Sequence, residues 1–140
     1  MFTRETSFGY LVNYLGRLFA RELDRRIEPF GLMHGQFPAL LMLWENPGLT
    51  QTEIARRVGV EQPTMANTLA RMERDGWIER RPDPQDRRRT LVFPSARALE
   101  IRDQVLACAL SVNAEATQGM DPAEQAQAMA LLGRMIANLE

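Results

Sequence analysis

The chemistry open to this chain is carried by guanidinium groups. All seventeen of its basic side chains are arginine and none is lysine. Neither a phosphate-binding loop ending in Gly-Lys-Ser/Thr nor a Schiff base has the amine it requires. A single histidine, His34, rules out metal sites built on several histidines. A single cysteine, Cys108, allows no internal disulfide and no thiolate zinc cluster. No nucleophile–base pair can be assembled from such a set, so the sequence points away from an enzyme and from any metal or cofactor. What remains is a basic run, Arg87-Arg88-Arg89, and a polar series, Gln62, Pro63, Thr64 and Asn67, followed by Arg71 and Arg74. Guanidinium groups neutralise phosphates, and Asn or Gln can pair bidentately with adenine. These are residue types that read double-stranded DNA.

Length and composition are consistent with that reading. The chain has 140 residues, 45% of them hydrophobic and 25% charged, enough for one domain with its own core. The net charge of -1 conceals a gradient. Residues 49–98 hold ten arginines against seven acids; residues 1–48 balance; residues 99–140 carry two arginines against six acids. The basic middle is expected to face nucleic acid and the acidic C-terminal region to face away. The longest uncharged apolar stretch, Phe37 to Trp44, is far short of the ~18 residues of a membrane span, and the charged N-terminal stretch does not read as a secretory leader. A cytoplasmic protein without a membrane anchor is expected.

The elements that must hold these residues are mostly helical. Apolar residues from Phe8 through Leu11, Val12, Leu15, Leu18, Phe19, Leu23 and Ile27 predict a long amphipathic helix, capped by Thr6 or Ser7 and stopped at Pro29 and Gly31. A second helix is expected from near His34 to Asn46. Thr50 followed by Glu53 reads as a capping box opening a helix over 51–58 that ends at Gly59. A further helix runs from Gln62 or Pro63 to Asp75, with Met65, Leu69 and Met72 on its inner face. Two short helices around a glycine turn make a helix-turn-helix. Residues 77–81 and 89–93 then read as strands of a β-hairpin around a Pro- and Asp-rich tip, with the second strand ending at Phe93 because Pro94 cannot donate to a ladder. Strand alternation sends Arg88 to one face and Arg87 and Arg89 to the other. Ser95 caps a helix reaching about Gln118, and Asp121-Pro122-Ala123-Glu124 opens the last.

In this order the residues resemble the MarR family of winged helix-turn-helix transcription regulators. The resemblance spans nearly the whole chain and is strongest over Leu49 to Ala55, Leu69 to Ile78 and Arg80 to Arg88. The most specific part is the Asp-x-x-Asp-Arg-Arg wing tip, Asp83 to Arg88. Glu61 stands where the family usually has a Ser, Thr or Asp cap. The resemblance implies a mainly α fold with a small β-wing. It implies a homodimer whose dimer lobe is built from residues 1–32 and 99–140, with residues 33–98 as the DNA-binding lobe. It also implies a repressor on a pseudo-palindromic operator, released by a small aromatic or phenolic effector.

Within that frame Gln62, Pro63, Thr64 and Asn67 are expected near base edges, Arg71 and Arg74 at phosphates, and Arg87 and Arg88 at the wing. Asp86 is expected to orient a neighbouring arginine. Tyr10, Tyr14, Arg17 and His34 are the polar-tipped residues that, by resemblance, could line an effector pocket; packing is the plainer role for each. Cys108, among Leu106, Ala107, Ala109 and Leu110, reads as a buried and inert thiol. The competing class is a winged-helix protein-interaction module that binds no DNA.

Overall fold

The computed structural model describes all 140 residues. Six α-helices and one two-stranded sheet follow in the order α1 (Phe8–Ile27), α2 (Phe37–Glu45), α3 (Gln51–Val58), α4 (Gln62–Arg74), β1 (Ile78–Pro82), β2 (Thr90–Pro94), α5 (Ala96–Ala116) and α6 (Pro122–Leu139). A 3-10 turn, Glu28–Phe30, follows α1.

Local capping sets most of these limits. Ser7 caps α1 by accepting from the Tyr10 amide, and Ser95 caps α5 by accepting from Ala98. Asp121 and Glu124 form a reciprocal capping box at α6. At α3 the expected box is only half formed. Thr50 accepts from the Glu53 amide at 3.2 Å, but its hydroxyl donates to the Glu53 carboxylate, which turns outward to Arg89 instead of back to the Thr50 amide. Helix α2 starts at Phe37, not near His34, because residues 34–36 form a turn in which the Gln36 amide already donates to the Met33 carbonyl. Gly59, at φ +82°, ends α3 in the left-handed region and lets α4 start three residues later.

The sheet pairs antiparallel, with Ile78 opposite Pro94 and Pro82 opposite Thr90. The second strand thus runs one residue further than expected. The Ser95 amide donates to the Trp77 carbonyl at 2.9 Å, and the Asp83 amide to the Arg89 carbonyl at 2.9 Å. These bonds bracket the two end pairs, so both prolines occupy positions where no ladder N–H is needed. On its other side β2 is held by a bridge between Val92 and Leu49, with Val92 donating to Leu49 at 2.8 Å and Gly48 donating to Val92 at 2.9 Å.

The core lies where α2, α3, α4 and the sheet meet the ends of α1 and α5. Leu40, Leu43, Ile54, Leu69, Met72, Trp77 and Val92 are buried there together with Ile27 and Val105. Trp44 donates its indole N–H to the Ala98 carbonyl, and Arg97 lies 3.9 Å above the Trp77 ring. By contrast, no residue of α6 is buried. Phe8, Leu11, Val12 and Leu15 of α1 and Met129, Leu131, Leu132, Ile136 and Leu139 of α6 are exposed.

Candidate nucleic-acid interface

Helix α4 separates its faces cleanly. Met65, Leu69 and Met72 point into the core, while Pro63, Thr64, Asn67, Arg71 and Arg74 are exposed. At ~100° per residue, Pro63, Asn67 and Arg74 fall within a narrow stripe, with Thr64 and Arg71 at its border. Asn67 has no hydrogen-bond partner within the chain, so its amide is free for a base edge. Gln62 does not share that stripe. It lies roughly 140° from Asn67, on the seam with α3, where its Oε1 accepts from Gln51 Nε2 at 3.4 Å. Glu61 occupies the cap position without a side-chain cap bond. Arg74 is drawn to Asp75, Nε to Oδ1 at 3.3 Å, whereas Arg71 has no ion pair.

Arg87, Arg88 and Arg89 lie in a turn between the strands, so strand alternation does not govern them. The Arg89 amide donates to the Asp86 carbonyl at 2.9 Å and closes this turn. Inside it the Asp86 carboxylate accepts from the Arg88 amide at 3.1 Å and from Arg88 Nε at 3.1 Å. Asp86 thus contacts both the backbone and the guanidinium of Arg88, which remains 91% exposed. The side-chain bond from Arg88, then its backbone bond, then the charge of Arg89 keep the Asp86 carboxyl below its ordinary range. Arg89 turns back instead, to Glu53 at 3.2 Å and towards Asp83 at 4.0 Å. Arg87 has no ion pair.

The structure adds arginines that the sequence reading passed over. Arg56 and Arg57, in the last turn of α3, are exposed and form no ion pair. Their signal was a basic pair just before Val58-Gly59, inside the basic third of the chain. At the foot of the wing, Arg80 and Arg89 border a polar hollow of about 470 Å³ with Thr50, Gln51, Thr52 and Thr90.

The four candidate pocket residues do not converge within this chain. His34 borders an apolar cavity of about 580 Å³ between α1, α2 and α5, lined also by Phe19, Leu23, Phe37, Leu106 and Leu110. Its amide donates to Asp24 at 2.6 Å, and its ring Nδ1 pairs with the same carboxylate. Tyr10 and Tyr14 lie in the N-terminal half of α1 and Arg17 at its middle, none of them among the residues that line this cavity. The tyrosine rings stack at 6.4 Å, and Arg17 lies 5.6 Å from the centre of Tyr14. Cys108 is half-buried, its thiol directed at the Arg26 carbonyl at 3.5 Å.

A helix-turn-helix followed by an arginine-bearing hairpin defines a winged helix-turn-helix protein. Residues 32–90 match the model of the MarR family. The HTH-type transcriptional regulator YwoH of Bacillus subtilis is 38% identical over 81 residues, covering 58% of each chain. That match therefore spans little more than half of the relative's length. The solved transcriptional regulator PA3341 is 35% identical, with 95% of this chain and 98% of that one covered and a TM-score of 0.83. The fold also matches the S. aureus MepR–DNA complex, TM-score 0.86, at 24% identity over 99% of this chain and all of the other. The chain belongs to the MarR family of winged-helix transcription regulators.

Proposed function

We propose that the chain binds a pseudo-palindromic DNA operator as a homodimer, represses transcription in the cytoplasm, and is released by a small aromatic or phenolic ligand. The observation that carries the DNA reading is the exposed stripe of α4, where Asn67 is unpartnered beside Arg71, with an oriented Arg88 on the adjacent wing. In this reading α4 enters the major groove, with Pro63, Thr64 and Asn67 at base edges and Arg71 and Arg74 at phosphates. Gln62 reaches a base only by leaving Gln51. Arg87 and Arg88 suit the narrow minor groove, whose negative potential attracts guanidinium groups.

Dimerisation is supported by the uncovered apolar side chains of α1 and α6, which one copy of residues 33–98 leaves in water. On this division residues 33–98 read DNA, while 1–32 and 99–140 join the protomers. Release is supported by the apolar cavity beside α2, in which His34 is the one ionisable lining residue. No helix is long and apolar enough to cross a membrane.

The test selects duplexes from a random pool with the purified protein and then measures affinity for the selected sequence against salt. A palindromic consensus and a linear fall of log affinity with log salt are expected. Absence of both would overturn the reading in favour of a protein-interaction module.

A further inference from the structure

We infer that Gln36 is a positioning residue for the DNA-reading helix, and that the turn it closes joins α4 mechanically to the apolar cavity. The inference rests on the DNA-binding reading above. Gln36 is one of two buried polar residues in the chain, 5% exposed. Its Oε1 accepts from the Met33 amide at 3.3 Å, so the side chain ties together the turn that precedes α2. Its Nε2 donates to Asp75 Oδ2 at 3.1 Å, at the C-terminal cap of α4. The remaining groups around Asp75 leave it little freedom. Arg74 Nε donates to the other carboxylate oxygen at 3.3 Å, and Arg97 Nη1 donates to the Asp75 carbonyl at 2.5 Å. The Gln36 bond, foremost among these contacts, holds the Asp75 carboxyl below its usual range, so the bond is charge-assisted at neutral pH.

The same turn carries the cavity wall. His34 and Phe37, two residues before and one after Gln36, line the cavity, and His34 is tied to Asp24 of α1 through both its amide and its ring. A molecule that displaces His34 or Phe37 displaces Gln36 with them. Apolar packing tolerates a small slip, but a hydrogen bond is directional, and stretching this one leaves a buried amide unsatisfied. The last turn of α4, which carries Arg71 and Arg74, must follow or lose the one of its anchors that comes from the turn before α2.

The experiment needs neither an effector nor DNA in its first arm. Amide hydrogen exchange of residues 71–76 is compared at one fixed pH in the full-length protein, Asp24→Asn, Gln36→Leu and the double variant. Asp24→Asn, which loosens the turn from α1, should speed exchange at the end of α4 on the order of tenfold, the range for a hydrogen bond to a charged group. In the Gln36→Leu background it should add nothing. Equal effects of Asp24→Asn in both backgrounds, or none in either, would overturn the inference. If Gln36→Leu does not fold, Gln36→Glu at pH 7 replaces it in the cycle.

The second arm uses a duplex selected by the wild-type protein. Gln36→Glu sets one carboxylate against another, so affinity should fall roughly tenfold at pH 7. It should recover towards wild type at pH 5, where a protonated side chain can donate to Asp75 again. A variant equally weak at both pH values would point to a purely structural role and overturn the inference. A failed duplex selection would count against the proposed function alone, because the exchange arm judges the joint independently.

Discussion

Replacing Arg88 with alanine tests the wing most directly, because its effect on salt dependence can be worked out before the measurement. The side chain is 91% exposed and touches only Asp86, so its loss leaves the core unchanged. Its pair with Asp86 is a surface pair of the kind that contributes little to stability. What disappears is one cation per wing, two in the proposed dimer. Each phosphate-neutralising cation contributes about 0.9 to the slope of log affinity against log salt, so the slope should shallow by about 1.8. Over a fourfold change in salt, from 50 to 200 mM, the ratio of wild-type to variant affinity should then shrink about twelvefold. Fluorescence anisotropy on a labelled duplex at four salt concentrations reads this directly. Asp86→Ala is the companion. It keeps every cation but removes the carboxylate that holds the Arg88 amide and guanidinium, so binding should weaken with the slope unchanged. An unchanged slope for Arg88→Ala would refute the assignment of the wing to DNA.

Asn67→Ala should alter preference at particular base pairs by ~1 to 3 kcal/mol, leaving affinity for unrelated duplexes alone; a uniform loss across sequences would place Asn67 at the backbone. Ile136→Glu should break the proposed dimer, since burying an apolar side chain there would be worth ~1.5 to 3 kcal/mol and two-fold symmetry would count it twice. Sedimentation of the variant as a stable dimer would remove α6 from the interface. Asp75 and Asp86 both have carboxyl groups held below the ordinary value of 3.8. For a group whose pKa is lower folded than unfolded, the stabilisation is present above the unfolded value and is lost as pH falls through the folded one. The melting temperature should therefore show no step from these groups between pH 7 and 5, and below pH 4 it should fall more for wild type than for Asp75→Asn. Carboxyl carbon shifts that titrate both groups above pH 4 would contradict this.

Much of the fold was written locally. Ser7, Thr50, Ser95 and Asp121 mark helix starts because a cap is a contact within three residues, and Gly59 marks the turn because its backbone angle leaves few alternatives. The exposed stripe of α4 followed from periodicity once Met65, Leu69 and Met72 were assigned to the core. The start of α2 and the turn over Arg87 to Arg89 were missed on local bonds, but the other misplacements share one cause, dependence on distant residues. Pro94 extends β2 because the pairing phase puts it opposite Ile78 at a position that needs no donor, and phase is invisible in a single strand. The Leu49–Val92 bridge has no pattern of its own. Tyr10, Tyr14 and Arg17 share a helix with the cavity lining, Phe19, Ala20 and Leu23, but fall on its opposite face, and which face is covered depends on where α2 and α5 cross α1. Gln36 carries no signal of its own in the sequence, because its partner is 39 positions away.

The placement of Pro82 bears on how the protein behaves in a crowded solution. The inner edge of β2 is occupied by Leu49, so the free edge of the hairpin is that of β1, where the backbones of Ile78, Arg80 and Pro82 turn outward. Pro82 offers no N–H, and Arg80 beside the gap is already engaged by Glu73 of α4 at 3.4 Å. A strand from another molecule approaching that edge would find a ladder already interrupted, the arrangement that keeps exposed hairpins from pairing edge to edge. The wing can thus project into solvent without offering a continuous edge, and Pro82→Val, which restores the missing donor and adds a β-forming side chain, is the substitution that would expose this protection by its loss.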